Sequence, residues 1–228
     1  MLRNLLLGLS VIFCFARCSE EVTTTDAEIG REYYPIKIGN YWIYDVVETR
    51  VSNNKYDSTK YQVRERVDTV FRNAADELTY QLVLSRKNRA DANWGNDSLV
   101  LVNKSLSDVL RTHNNFKTIK LLFPVQEGKQ WDTNAFNILD ADDFSYARVN
   151  QPFVLHNITY DSTVTVVQGE PNEVMLDDRT EVYAYNIGLI YKNFTVYEYV
   201  QTQGVSDKNK VARGLRRVFK LNTFHAAE

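Results

Sequence analysis

Few side chains in this 228-residue sequence have the types and spacing to do chemistry: two cysteines, three histidines and one run of aspartates. Cys14 and Cys18 lie within or at the end of an apolar N-terminal run, and no thiol follows from Ser19 onward. That excludes a disulfide framework, a thiolate zinc site and a cysteine nucleophile from the body of the chain. His113, His156 and His225 are far apart and in no metal or catalytic spacing, so each reads as a surface or strand histidine. There is no Gly-x-Ser-x-Gly elbow, no phosphate-cradling glycine loop and no dinucleotide fingerprint. Asp140, Asp142 and Asp143, with Asp132 upstream, have the carboxylates for Ca²⁺ but lack the Gly and the terminal Glu of an EF-hand loop. They read as solvated turn acids, as do Asp177 and Asp178. A carboxylate pair for glycoside hydrolysis depends on separation in space, which the linear chain does not display. No cofactor and no metal are expected.

Composition points to sheet. Aromatic residues make up 12%, with 14 Tyr, 11 Phe and 3 Trp, which suits strands with one wet and one buried face. Only 9 Gly and 4 Pro argue against a long disordered stretch. The formal charge is -2, and without Arg3 and Arg17 of the N-terminal run 25 basic and 29 acidic residues remain. A mildly acidic body has no electrostatic reason to bind nucleic acid.

The N-terminus reads as an export signal over residues 1–17. Arg3 supplies the positive start, and Leu5 to Ala16 is a 12-residue apolar core. That is short of the about 20 apolar residues a spanning helix needs, and no other segment approaches that length. Phe15-Ala16-Arg17-Cys18 resembles the lipobox of bacterial lipoproteins, with Arg17 standing where the lipobox carries Gly, Ala or Ser. The resemblance makes Cys18 a lipid-attachment site, and acyl chains on it would hold the protein on a membrane. Residues 18–32 then read as a flexible, polar tether. Its Cys18-Ser19-Glu20-Glu21 start is similar to the acidic signal of some Bacteroidetes lipoproteins bound for the outer face of the outer membrane.

From Tyr41 onward alternation dominates. In 59–71, Tyr61, Val63, Val67 and Phe71 share one parity, while Lys60, Gln62, Arg64, Arg66 and Asp68 hold the other. Comparable runs cover 41–51, 78–87, 98–104, 116–123, 144–149, 162–168, 181–186, 188–200 and 215–224, with turn residues such as Ser52-Asn53-Asn54 and Gln203-Gly204 between them. A short helix is expected only at 106–113. The fold class is therefore all-β and mainly antiparallel: a curled sheet, half-barrel or sandwich of about ten strands over 33–228.

Three segment pairs suggest two duplicated halves, 33–122 and 123–228. Pro35-Ile36-Lys37-Ile38-Gly39-Asn40-Tyr41-Trp42 matches Pro124-Val125-Gln126-Glu127-Gly128-Lys129-Gln130-Trp131, an aromatic residue preceding each. Tyr56-Asp57-Ser58-Thr59 recurs as Tyr160-Asp161-Ser162-Thr163, and the run from Tyr80 to Asn88 has a counterpart from Tyr185 to Asn193. In each Pro-x-x-x-Gly-x-x-Trp unit, Pro and Gly shape a loop and the Trp plugs the core at a strand start. Trp94 differs, because it lies in the polar loop 91–97, where an exposed ring marks a candidate binding contact.

The segments Tyr33 to Tyr44, Phe123 to Trp131 and Val182 to Lys192 together resemble a broad group of Bacteroidetes outer-membrane lipoproteins. The resemblance implies a lipid-anchored envelope location, in the outer membrane and on the cell surface, and brings no activity with it. The expected function is a non-enzymatic binding or structural module whose partner is an envelope protein, a glycan or an apolar ligand. The alternative is a β-cavity that carries an apolar ligand, and a hydrolase is the least supported reading.

Overall fold

The computed structural model describes residues 29–88 and 92–227. The segment expected as an export signal, Cys18 and most of the expected tether lie outside the described residues. The first complete element within them is a 3-10 turn, Arg31–Tyr33. Twelve strands follow: β1 (Tyr41–Ser52), β2 (Lys55–Arg72), β3 (Leu78–Lys87), β4 (Gly95–Lys104), β5 (Asp108–His113), β6 (Phe116–Leu122), β7 (Gln130–Asp132), β8 (Asp143–Leu155), β9 (Ile158–Val167), β10 (Met175–Ala184), β11 (Gly188–Thr202) and β12 (Val205–His225).

All twelve belong to one antiparallel sheet in the order β6-β5-β4-β3-β2-β1-β12-β11-β10-β9-β8-β7. Each strand pairs with its sequence neighbour, and β1 pairs with β12 over its whole length. The sheet edges, β6 and β7, are also consecutive in the chain, so the sheet curls into a nearly closed barrel. A few bonds close the seam. The Ile119 amide donates to Thr133 O at 2.9 Å, and the Trp131 indole and Thr133 hydroxyl donate to Ile119 O at 3.1 and 2.9 Å. Tyr146 on β8 adds a second staple, its hydroxyl accepting from the Leu122 amide and donating to Leu122 O.

Four tight turns explain why adjacent strands pair. Asn53-Asn54, Asn114-Asn115, His156-Asn157 and Gln203-Gly204 each have positive φ at both central positions. That geometry matches the right-handed twist of hairpin strands, and Asn and Gly tolerate it best. Register then follows burial. Trp42, Tyr44, Val46 and Glu48 of β1 point inward and alternate with less buried neighbours.

Three expectations change. The 106–113 segment is not helical; Asp108–His113 is β5, hairpinned to β6 through Asn114-Asn115. The short β7 brings the count beyond ten. Phe71 lies on the surface, because β2 shifts register against β3 between Val67 and Thr69 and its parity flips beyond the bulge.

Each half of the chain is a meander of six strands, and Trp42 and Trp131 take the second position of β1 and β7. Both indoles are buried, 6% exposed, and each donates to a backbone carbonyl, Trp42 to Ile187 O at 2.6 Å. The second matched pair lies on β2 and β9, and the third on β3 and across the β10–β11 turn.

In an up-and-down sheet the connections alternate between two ends of the barrel. One end holds 73–77, 105–107, 123–129, 156–157 and 185–187, and residues 29–40 cap it. The Val125 amide donates to Ile29 O, the Asn186 amide to Glu32 O, and Lys104 Nζ to Tyr34 O. The last residues expected in the tether, 29–32, are thus bonded to the body. The other end, with turns 53–54, 114–115 and 203–204, carries no such cap among the described residues.

Candidate functional site

The barrel interior is apolar at the capped end and ionic in the middle. Val100, Val102, Val109, Leu121, Val164 and Val166 are fully buried. Beside them four charged side chains, Glu65, Arg111, Lys120 and Glu181, line a small cavity of about 50 Å³ together with Tyr34 and Tyr183. Strand parity places Glu65 there: it sits between Val63 and Val67, on the inward face of β2.

The ionic groups form two units. Arg111 on β5 clasps Glu65 with two nitrogens on two oxygens, at 3.0 and 2.8 Å. Glu181 on β10 is 1% exposed and accepts from Lys120 and Lys192, each at 2.8 Å, and from the Tyr183 hydroxyl at 2.5 Å. Burial alone would raise both carboxyls, but the adjacent cations override it and hold both below the usual carboxylate range. Lys120 goes the other way: burial pulls it down to about 8, with Glu181 offsetting part of the fall. Burial also raises the Tyr34, Tyr44 and Tyr183 phenols, which therefore stay neutral. A glycosidase needs one carboxyl kept protonated as general acid. Glu65 and Glu181 are both held ionised, so this pair does not meet that requirement.

Beyond the Glu65–Arg111 pair the interior widens into an open cleft of about 400 Å³. Tyr44, Glu65, Arg111 and Leu189 line both spaces, so the ion pair partitions cavity from cleft. Glu48 lies on the cleft wall, bonded to Arg50, Arg217 and the Tyr61 hydroxyl at 2.7, 2.8 and 2.9 Å. The Arg86 guanidinium lies 3.7 Å from the Tyr61 ring centroid. His113 lines the same cleft, its Nε2 3.2 Å from the Ser98 hydroxyl, and burial lowers its pKa. Arg50, Arg86 and His113 lie next to the turns of the uncapped end, so the cleft opens there.

Trp94 is elsewhere. Its ring lies against Arg64 and Lys87, at 4.8 and 4.7 Å, and Arg64 belongs to the outward parity of β2. The two cations cover it from the sheet side, where ring and cation attract. The aspartate run is likewise separate. Asp142 gives both oxygens to Arg179 at 2.8 and 2.9 Å, and Asp132 caps the turn by accepting from the Asn134 and Asp142 amides. His156 occupies a hairpin turn and His225 stacks on Tyr41.

Sequence reasoning missed the cleft residues Glu48, Glu65, Arg86, Arg111 and Arg217. A signal for several of them exists: Glu48 and Glu65 interrupt apolar parity on β1 and β2, and Arg86 does so after Tyr80, Leu82 and Leu84 on β3.

No protein-family model and no curated protein matches the chain. Among solved structures it is similar to a candidate exported protein with YMCC-like fold from Bacteroides fragilis, at 11% identity and TM-score 0.42, covering 85% of this chain and 98% of that one. It is also similar to a candidate lipoprotein from Parabacteroides distasonis, at 15% identity and TM-score 0.34, with coverage of 85% and 98%. A DUF1329 family protein from Desulfovibrio piger follows at 10% identity and TM-score 0.22, with coverage of 83% and 86%.

Proposed function

We propose that the chain is a lipid-anchored protein of the outer membrane that acts as a non-enzymatic binding module, with the open end of its barrel as the ligand site. The observation that carries this reading is the cleft of about 400 Å³, which lies within the roughly 300–1,000 Å³ of ordinary small-molecule sites. Its position supports the anchoring as well. Residues 29–40 join the barrel at the capped end, so a lipid on Cys18 leaves the mouth on the side opposite the tether. Cell-surface exposure follows from the Glu20-Glu21 signal and belongs to the same proposal.

The carrier of a purely apolar ligand is the weaker alternative. The enclosed cavity is about 50 Å³ and lined by charge, and the larger cleft is walled by arginines as well as by Phe219 and Leu84.

The test is native mass spectrometry of the full-length chain purified from envelopes, beside a Leu84→Trp variant that fills the cleft. A small molecule released from the wild type and missing from the variant is the expected result. A wild-type chain that carries nothing, and takes up no amphiphilic probe, ends the reading.

A further inference from the structure

We propose that the cleft selects amphiphilic anions: an acidic headgroup (carboxylate, sulfate or phosphate) carried on an apolar body. This rests on the reading of the cleft as the ligand site, and it names the chemistry of the ligand.

The first observation is the sign of the charge. The cleft wall carries Arg50, Arg86, Arg111, Lys192 and Arg217 against Glu48 and Glu65. Including Lys120 and Glu181 from the adjoining cavity leaves six cations and three carboxylates. The whole sequence is mildly acidic, at -2, so this surplus is local to the interior and is not a consequence of composition. Low-dielectric walls around such a surplus focus its field on the mouth and draw anions inward.

The second observation is how the cations are held. Glu48 serves two arginines at once, Arg50 and Arg217, so one carboxylate neutralises a pair. Arg86 has no carboxylate partner among the described residues. It is fixed instead by the face of Tyr61, and its Nε donates to Asn88 Oδ1 at 2.9 Å. The Tyr61 hydroxyl donates to the same Glu48 oxygen that accepts from Arg217 Nε. Arg86 and Arg217 therefore flank one Tyr61–Glu48 unit, and planar guanidinium groups held in this way suit oxyanions.

The third observation is the rest of the wall. Val63, Leu84, Leu189 and Phe219 face the same space, and an inorganic anion would leave them wet. An apolar body on the ligand covers them.

The experiment titrates the full-length protein with dansylundecanoic acid and with its methyl ester, followed by dansyl fluorescence. The acid is expected to bind at least about tenfold more tightly than the ester, the scale of one charge-assisted hydrogen bond. Arg86→Gln should cancel that preference while leaving ester binding in place, lowering the thermal melt only by the loss of its contact with the Tyr61 ring, and Arg86→Lys should restore part of the preference. Millimolar inorganic phosphate should not displace the acid; displacement would assign the site to free oxyanions and overturn the amphiphile. Equal affinity for acid and ester overturns anion selection but leaves the cleft a binding site. Binding of neither probe removes the cleft itself.

Discussion

Arg111 and Glu65 meet across the barrel from β5 and β2, strands separated in the sheet by β3 and β4, and join through two bonds at 3.0 and 2.8 Å. A flat sheet would keep them apart. Their contact is a direct measure of how tightly the sheet curls, and it divides the closed half of the barrel from the open half.

Glu65→Gln should destabilise the fold by about 1–3 kcal/mol, since it leaves a part-buried guanidinium without its carboxylate. The double variant Glu65→Leu, Arg111→Leu should recover most of that loss, because two apolar side chains satisfy each other. Urea midpoints of the three proteins check this. A double variant no better than the single would mean the pair acts other than as a mutually satisfied charge.

Stability should rise with pH in two separate windows, one acidic and one alkaline. Glu65, Glu181 and Glu48 all titrate below their ordinary range when folded. Their contribution is complete above the unfolded carboxyl value of about 4.3 and is lost as pH falls below it. Lys120, lowered to about 8 by burial, adds the alkaline window. Between that value and the unfolded value of about 10.4 the unfolded chain holds more protons, so stability rises with pH. Melting temperatures from pH 3 to 9.5 for the wild type and Lys120→Met test both windows; only the variant should lack the alkaline rise.

Trp94→Ala should cost about 1–2 kcal/mol, the loss of two cation–π contacts at about 0.5–1 kcal/mol each. Probe binding in the cleft should be unchanged, because the ring is on the outer face. A variant that loses cleft binding would show that Trp94 and the cleft belong to one site.

Cys18→Ala should move the protein from the membrane pellet to the soluble fraction, as loss of acyl chains removes about 0.8 kcal/mol per buried CH₂. Fractionation with immunoblotting reads the result, and unchanged pelleting would sink the anchor.

Ten of the twelve strands are legible from alternation alone, and the two that are not have different reasons. Gln130–Asp132 is three residues long, too short to show a period. Asp108–His113 hides because its cleft-facing positions after Val109 are Arg111 and His113, so the apolar–polar rhythm breaks where the strand supplies the cleft. Asn114-Asn115, a two-residue turn with positive φ, was the available sign of a hairpin.

What the sequence determined by itself is local: antiparallel strands, their turns, and Trp42 and Trp131 as plugs. These depend on neighbours along the chain, and periodicity records such neighbours faithfully. What only the tertiary structure decided is the closure of the barrel and the meeting of Glu65 with Arg111, Glu181 with Lys120, and Arg86 with Tyr61. Those contacts join residues from different strands across a curved interior. Each charged side chain, read alone, is indistinguishable from one on the wet face of its strand; curvature turns that face into a cleft.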